Sequence, residues 1–202
     1  MQRLHRKLTL LDLVVVVASV AAGFALLRWR LAFADVFRFF QTISDAPPWR
    51  WTARSFSLRL SGLLDLATPC ALTGTLGVLI LRILPPRPHL PRLARQPGFV
   101  ACITFLVVAT FTTGTVLLTL WSRGKLGPTS NLDMITYYTV TTGLAAQLGG
   151  LSVAAAWSVL GLGSRFRPEA SWVDRLGRLM GLFWIASSVV MFDVHNSMIF
   201  RL

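Results

Sequence analysis

Charge is scarce in this sequence: 14% of its 202 residues are Asp, Glu, Lys or Arg, against about 25% in soluble domains. That scarcity excludes an ordinary soluble domain, and 54% hydrophobic content with a mean hydropathy of +0.62 reads as a membrane chain. Cysteine is limited to Cys70 and Cys102, both within or beside apolar runs, so no disulfide framework or Cys-x-x-Cys pair is indicated. Both read as small core residues. The histidines, His5, His89 and His195, avoid the middles of the apolar runs, which argues against paired axial ligation of a haem in the membrane. Metal ligation needs a convergent set of His, Cys and carboxylates, and none is visible. No metal and no other cofactor is expected.

Lysine is nearly missing, with Lys7 and Lys125 the two members among 20 Lys+Arg. The arginine bias suggests a GC-rich bacterial genome. Acidic residues are outnumbered by 20 to 8, for a net charge of +12. A nucleic-acid partner is the tempting reading, but the arginines sit in short loops at helix ends, where anionic headgroups explain them. The longest segment between apolar runs, Arg28 to Ser57, is about thirty residues and too short for a soluble domain of its own. Expected partners are therefore membrane lipids, other membrane subunits or a second copy, with no nucleic acid.

What the sequence does contain is a set of apolar runs, and the most telling is residues 60–81, LSGLLDLATPCALTGTLGVLIL, between Arg59 and Arg82. Its length is enough to cross a hydrocarbon core of ~30 Å as a helix. On that helix Ser61, Asp65, Thr68 and Thr75 share one face, and Cys70 points the other way. Polar side chains facing lipid are costly, so this face is expected to meet protein or water inside a bundle.

Four more spans are expected, at approximately 8–27, 99–121, 135–161 and 179–200, giving an all-α integral membrane protein of about five helices in a single polytopic domain. The run at 8–27 is too long for a signal-peptide core and is cut off by Arg28-Trp29-Arg30 from the small-residue site Ala32-Phe33-Ala34. Asp12, Ser19 and Gly23 form a small, polar seam on it. Residues 28–43 read as an interfacial amphipathic helix with an apolar stripe of Trp29, Phe33, Val36, Phe37 and Phe40. Residues 82–98 hold five prolines with Arg82, Arg87, Arg92 and Arg95 and read as an extended, headgroup-facing loop. Met134 to Ser164 carries no charge, and as one helix it measures about 46 Å. It must tilt, begin in the interface or bend at Gly149-Gly150. Its seam is Thr136, Thr139, Gly143, Gln147, Gly150, Ala154 and Gly161, where small residues admit another helix and Gln147 offers it a hydrogen bond. Residues 164–178 read as a basic connector.

With the N-terminus inside, eleven Lys+Arg fall on the inner side and nine on the outer, which favours N-inside and C-outside in a bacterial cytoplasmic membrane. Asp65, Tyr137, Asp193 and His195 then stand toward the outer side and Asp12 toward the inner.

Asp65 is the main candidate site, as a proton or cation relay or as a carboxyl that fixes helix register. Asp12 and Thr68 carry the same two readings. Asp193 and His195 resemble an acid–base pair but point to nearly opposite sides of one helix, so a pair would need Asp65 or another helix; the alternative is a polar helix end. Thr68-Pro69-Cys70 resembles the intramembrane Cys-Pro word of metal-pumping ATPases, but three residues without a nucleotide or phosphorylation domain identify no family.

Three functions are consistent with these residues. A non-catalytic membrane subunit, anchor or assembly factor fits the abundance of helix-contact seams. A small transporter or channel would use Asp65 and Gln147 on its path, with Tyr137 a further polar residue for transport or helix packing. A membrane enzyme acting on a lipid-type substrate at the outer leaflet would bring Asp65, Asp193 and His195 into one pocket.

Overall fold

A computed structural model describes residues 9–33, 53–84, 93–122, 131–163 and 171–199. These form five helices: α1 Leu10–Phe33, α2 Ala53–Ile83, α3 Pro97–Ser122, α4 Asn131–Leu162 and α5 Trp172–Ile199. No strand occurs among the described residues. Each helix contains a stretch long and apolar enough to cross a membrane, at Leu10–Arg28, Leu66–Ile83, Pro97–Thr119, Thr142–Leu162 and Trp172–Phe192. The chain is an all-α membrane bundle.

Local chemistry sets the starts of three helices. Thr9 and Asp12 form a capping box: the Thr9 N–H donates to Asp12 Oδ2 at 3.1 Å and the Asp12 N–H to Thr9 Oγ1 at 3.2 Å. Two otherwise orphaned donors of the first turn are thereby satisfied. At α3 the Gln96 carbonyl accepts the first helical bond, from the Val100 N–H at 3.0 Å, and Pro97 follows at the position where a missing N–H costs nothing. At α5 the Ser171 carbonyl accepts from the Arg175 N–H at 3.2 Å and its Oγ from the Asp174 N–H at 3.3 Å.

That last cap corrects the expected fifth span. The helix begins at Trp172 rather than at 179, so Arg175 and Arg178 belong to its first two turns and not to a connector. Arg82 is corrected as well: it lies in the last turn of α2, not in the proline loop, and is 4% exposed rather than headgroup-facing. Residues 28–33 continue α1 without a break. The rest of the amphipathic helix expected at 28–43 and residues 85–92 of the loop lie outside the described residues. Helix α4 is continuous through Gly149-Gly150.

Packing places α5 at the centre, against α2, α3 and α4, while α1 lies at the edge against α2. The α1 seam is used as expected. Ser19 abuts Gly77, and a side chain at Gly23 would meet the Cys70 backbone at 2.8 Å, so α1 and α2 run antiparallel with small residues between them. The opposite face of α1, with Leu13, Val17, Val20 and Phe24, is exposed and suited to lipid.

Candidate functional site

Two polar centres tie the bundle together, one at the end where α1, α3 and α5 begin and one near mid-span. At the first, the Asp174 carboxylate is fully buried. Its Oδ1 accepts the Gly98 N–H at 3.2 Å and lies 3.3 Å from Arg82 Nη2. Its Oδ2 lies 3.3 Å from Arg178 Nε, an ion-pair contact without hydrogen-bond geometry. Arg82 Nη2 also donates to Ser171 Oγ at 3.2 Å. A single carboxylate thus joins the end of α2 to the starts of α3 and α5, and two guanidinium groups share its charge. A buried charge is tolerable on those terms, because pairing and hydrogen bonds offset lost solvation.

Such short distances require bare backbone. A side chain at Gly177 would meet the Gly98 carbonyl oxygen at 2.8 Å, and one at Gly98 would meet the Asp174 carbonyl oxygen at 2.6 Å. Gly177→Ala should therefore push α3 from α5 and lower stability by about 1–3 kcal/mol, although alanine by itself favours a helix by about 1 kcal/mol. A melting midpoint equal to or above that of the native chain in detergent would refute this reading.

At the second centre, Trp184 is 1% exposed and stacks on Phe105 with ring centroids 3.6 Å apart and planes at 14°. Its indole N–H donates to Thr75 Oγ1 at 2.9 Å, while that hydroxyl donates to the Ala71 carbonyl at 2.7 Å. Of the polar face expected on α2, Thr75 therefore meets α5. Gly150 admits the Trp184 backbone, and Gly149 takes the Phe105 ring at 2.6 Å from where a side chain would begin.

Above this stack, on the side away from Asp174, a groove of about 610 Å³ opens between α2, α3 and α4. Thr68 and Leu72 form one wall, Thr110, Gly114 and Leu117 the other, and Ala145 and Ala146 the back.

The residues singled out in the sequence fall in different places. Asp12 is buried in its capping box. Thr68 lines the groove with its hydroxyl donated to the Leu64 carbonyl at 2.8 Å. Gln147 is half-buried on α4, outside the groove, and makes no side-chain hydrogen bond among the described residues. Asp65 lies on α2, Tyr137 on α4, and Asp193 and His195 on α5, but their side chains lie outside the described residues. The Arg82–Asp174 and Thr75–Trp184 contacts make α2 and α5 antiparallel. Ten residues further along each helix, about 15 Å of rise, Asp65 reaches the level of residues 193–195.

Sequence reasoning missed Asp174, Arg82 as an ion-pair partner, Trp184 and Gln96. The signal for Asp174 was present as Ser171-x-x-Asp174 ahead of an apolar run, the start of a capped helix. Gln96 is 2% exposed, and its amide nitrogen and oxygen have no hydrogen-bond partner among the described residues. Nothing in its sequence context marks it. Among the described residues no three His, Cys, Asp or Glu side chains gather in a metal-binding group. Cys102 packs in the apolar cluster with Val78, Leu81 and Val173. Compared with protein-family models, with curated proteins and with solved structures, the chain matches none.

Proposed function

We propose that this chain is a non-catalytic membrane subunit or assembly factor of a bacterial cytoplasmic membrane, with its N-terminus inside, and that it receives a partner helix on α4. The observation that carries this reading is Gln147. It is only half-buried and has no side-chain hydrogen bond among the described residues, in a span where an unsatisfied amide facing lipid is unfavourable. Its face of α4 includes Gly143 and Gly161, where an added side chain would meet nothing within 4 Å. Gly150 on that face is taken up by α5, while the flanks leave room for another backbone to approach. The arginine-rich, lysine-poor composition supports the bacterial setting, and the excess of Lys+Arg on one side supports the orientation.

The test is extraction of the tagged chain from its native membrane in lipid particles, followed by mass determination. A stoichiometric partner or second copy is expected. Hydrogen bonds between membrane helices contribute about 0.6–2 kcal/mol, so Gln147→Leu should weaken that association about 3- to 30-fold. A lone monomer would overturn the proposal.

A further inference from the structure

We propose that Arg175 and Arg178, on the first two turns of α5, form a site for the phosphate group of an anionic phospholipid in the leaflet at the Asp174 end. Charge points there first. Among the described side chains of that end, Arg82, Arg95, Arg175 and Arg178 are set against two carboxylates, Asp12 and Asp174. Asp174 is already shared between Arg82 and Arg178. Arg175 is exposed, and its side chain has no hydrogen bond or ion pair among the described residues. It also stands in the first turn of a helix, at the positive end of the helix dipole, where an anion is favoured and a cation is not. This corner of the bundle is therefore short of negative charge.

Position brings the two arginines together. Residues three apart on a helix are neighbours, and helical side chains lean toward the N-terminus, so Arg178 extends over the turn that holds Arg175. Its Nε is buried against Asp174, while its side chain as a whole is 33% exposed and its Nη groups have no partner among the described residues. One nitrogen is thus fixed by the protein, and the outer edge of the guanidinium stays open. Guanidinium groups bind phosphate oxygens through paired N–H donors. Two of them side by side repel each other unless an anion lies between.

Depth identifies the anion. The 28 residues of α5 rise about 42 Å, the thickness of a bilayer with its headgroups. Arg175 then lies in the headgroup layer, and Arg178, about 9 Å from the helix start, reaches that layer by extending along its own helix. Toward the bilayer centre the same face carries Leu179, Leu182 and Val189, all exposed and placed to meet acyl chains. A basic patch followed by an apolar stripe matches a phospholipid, with its phosphate at the surface and hydrocarbon within, better than it matches a soluble anion. The site is apart from the partner face around Gln147 on α4 and does not depend on it.

The experiment titrates the full chain in detergent with phosphatidylglycerol, phosphatidylethanolamine or inorganic phosphate and counts the bound molecules by native mass spectrometry. One phosphatidylglycerol is expected to bind ahead of phosphatidylethanolamine. Loss of a charge-assisted hydrogen bond should weaken that binding about 10-fold or more in Arg175→Gln and in Arg178→Gln, and further in the double variant. Arg95→Gln removes an exposed arginine from the same end and should change it about 3-fold or less. Arg178→Gln also takes a charge from Asp174, whereas Arg175→Gln disturbs no protein partner among the described residues. Its thermal midpoint should stay that of the native chain, so this variant decides the question by itself. Equal binding of the two lipids, equal losses for all three arginines, or unchanged binding in Arg175→Gln would overturn the proposal. Displacement of the lipid by inorganic phosphate would make the occupant a soluble anion and overturn it as well.

Discussion

Asp174→Ala is expected to cost the bundle about 3–5 kcal/mol, the usual effect of removing one partner from a buried ion pair. The size follows from how many groups depend on one carboxylate: Arg82 from α2, Arg178 from α5 and the Gly98 N–H from α3. Arg82 is 4% exposed, so its guanidinium cannot exchange the lost carboxylate for bulk water without moving the end of α2. Asp174→Asn separates charge from hydrogen bonding. Its amide oxygen can still accept the Gly98 N–H, so the loss should be smaller than for alanine yet clearly measurable. Thermal melts of the three proteins in one detergent check this, and an Asp174→Ala midpoint matching the native chain would show that the pair contributes nothing net.

Trp184→Ala should produce a loss of similar size, about 3–5 kcal/mol, through the cavity left by a large buried side chain. Hydrophobic transfer does not drive helices together inside lipid, so the loss comes from packing and from the hydrogen bond. Trp184 touches α3 through Phe105 and α2 through Thr75, and it lies edge-on to Phe183 at a centroid distance of 5.0 Å and 79°. Trp184→Phe keeps most of the ring contact but removes the N–H, so it should cost about 1 kcal/mol. The ordering native, Phe, Ala in midpoint is the expected result. Equal losses for Phe and Ala would assign the whole effect to the hydrogen bond and remove the packing account.

The two variants probe different levels of the membrane. Asp174 joins three helices where α1, α3 and α5 begin, while Trp184 joins three near mid-span and lines one end of the groove. A bundle held at these two levels needs no further close contact between α2 and α4 above them, which is where the groove lies. Trp184→Ala should therefore also lengthen the groove toward the Asp174 end.

Much of this was legible in the residues. The five apolar runs were found because hydropathy and length are properties of each run alone. The α1 seam was found because Asp12, Ser19 and Gly23 repeat at helical spacing and leave no large side chain on that face. Thr75, on the polar face read for α2 from the same kind of spacing, is fully buried. The start of α5 was misplaced because the arginines at 175 and 178 look like a boundary to any argument based on apolar content. A cap at Ser171 and a carboxylate at Asp174 make those turns helical, and the charge is absorbed by partners far away in sequence.

The sequence by itself thus determined an all-α membrane bundle, the identity of its helices and the faces on which small and polar residues lie, because each depends on interactions within a few residues of one chain segment. Only the tertiary structure decided that Asp174 serves α2 and α3, that Gly150 rather than Gly143 receives α5, that Gln147 stays without a partner among the described residues, and that Thr68 lines a groove. Those outcomes rest on where rigid helices cross. A crossing depends on the fit of side chains from segments as far apart as Thr75 and Trp184, which no local pattern encodes.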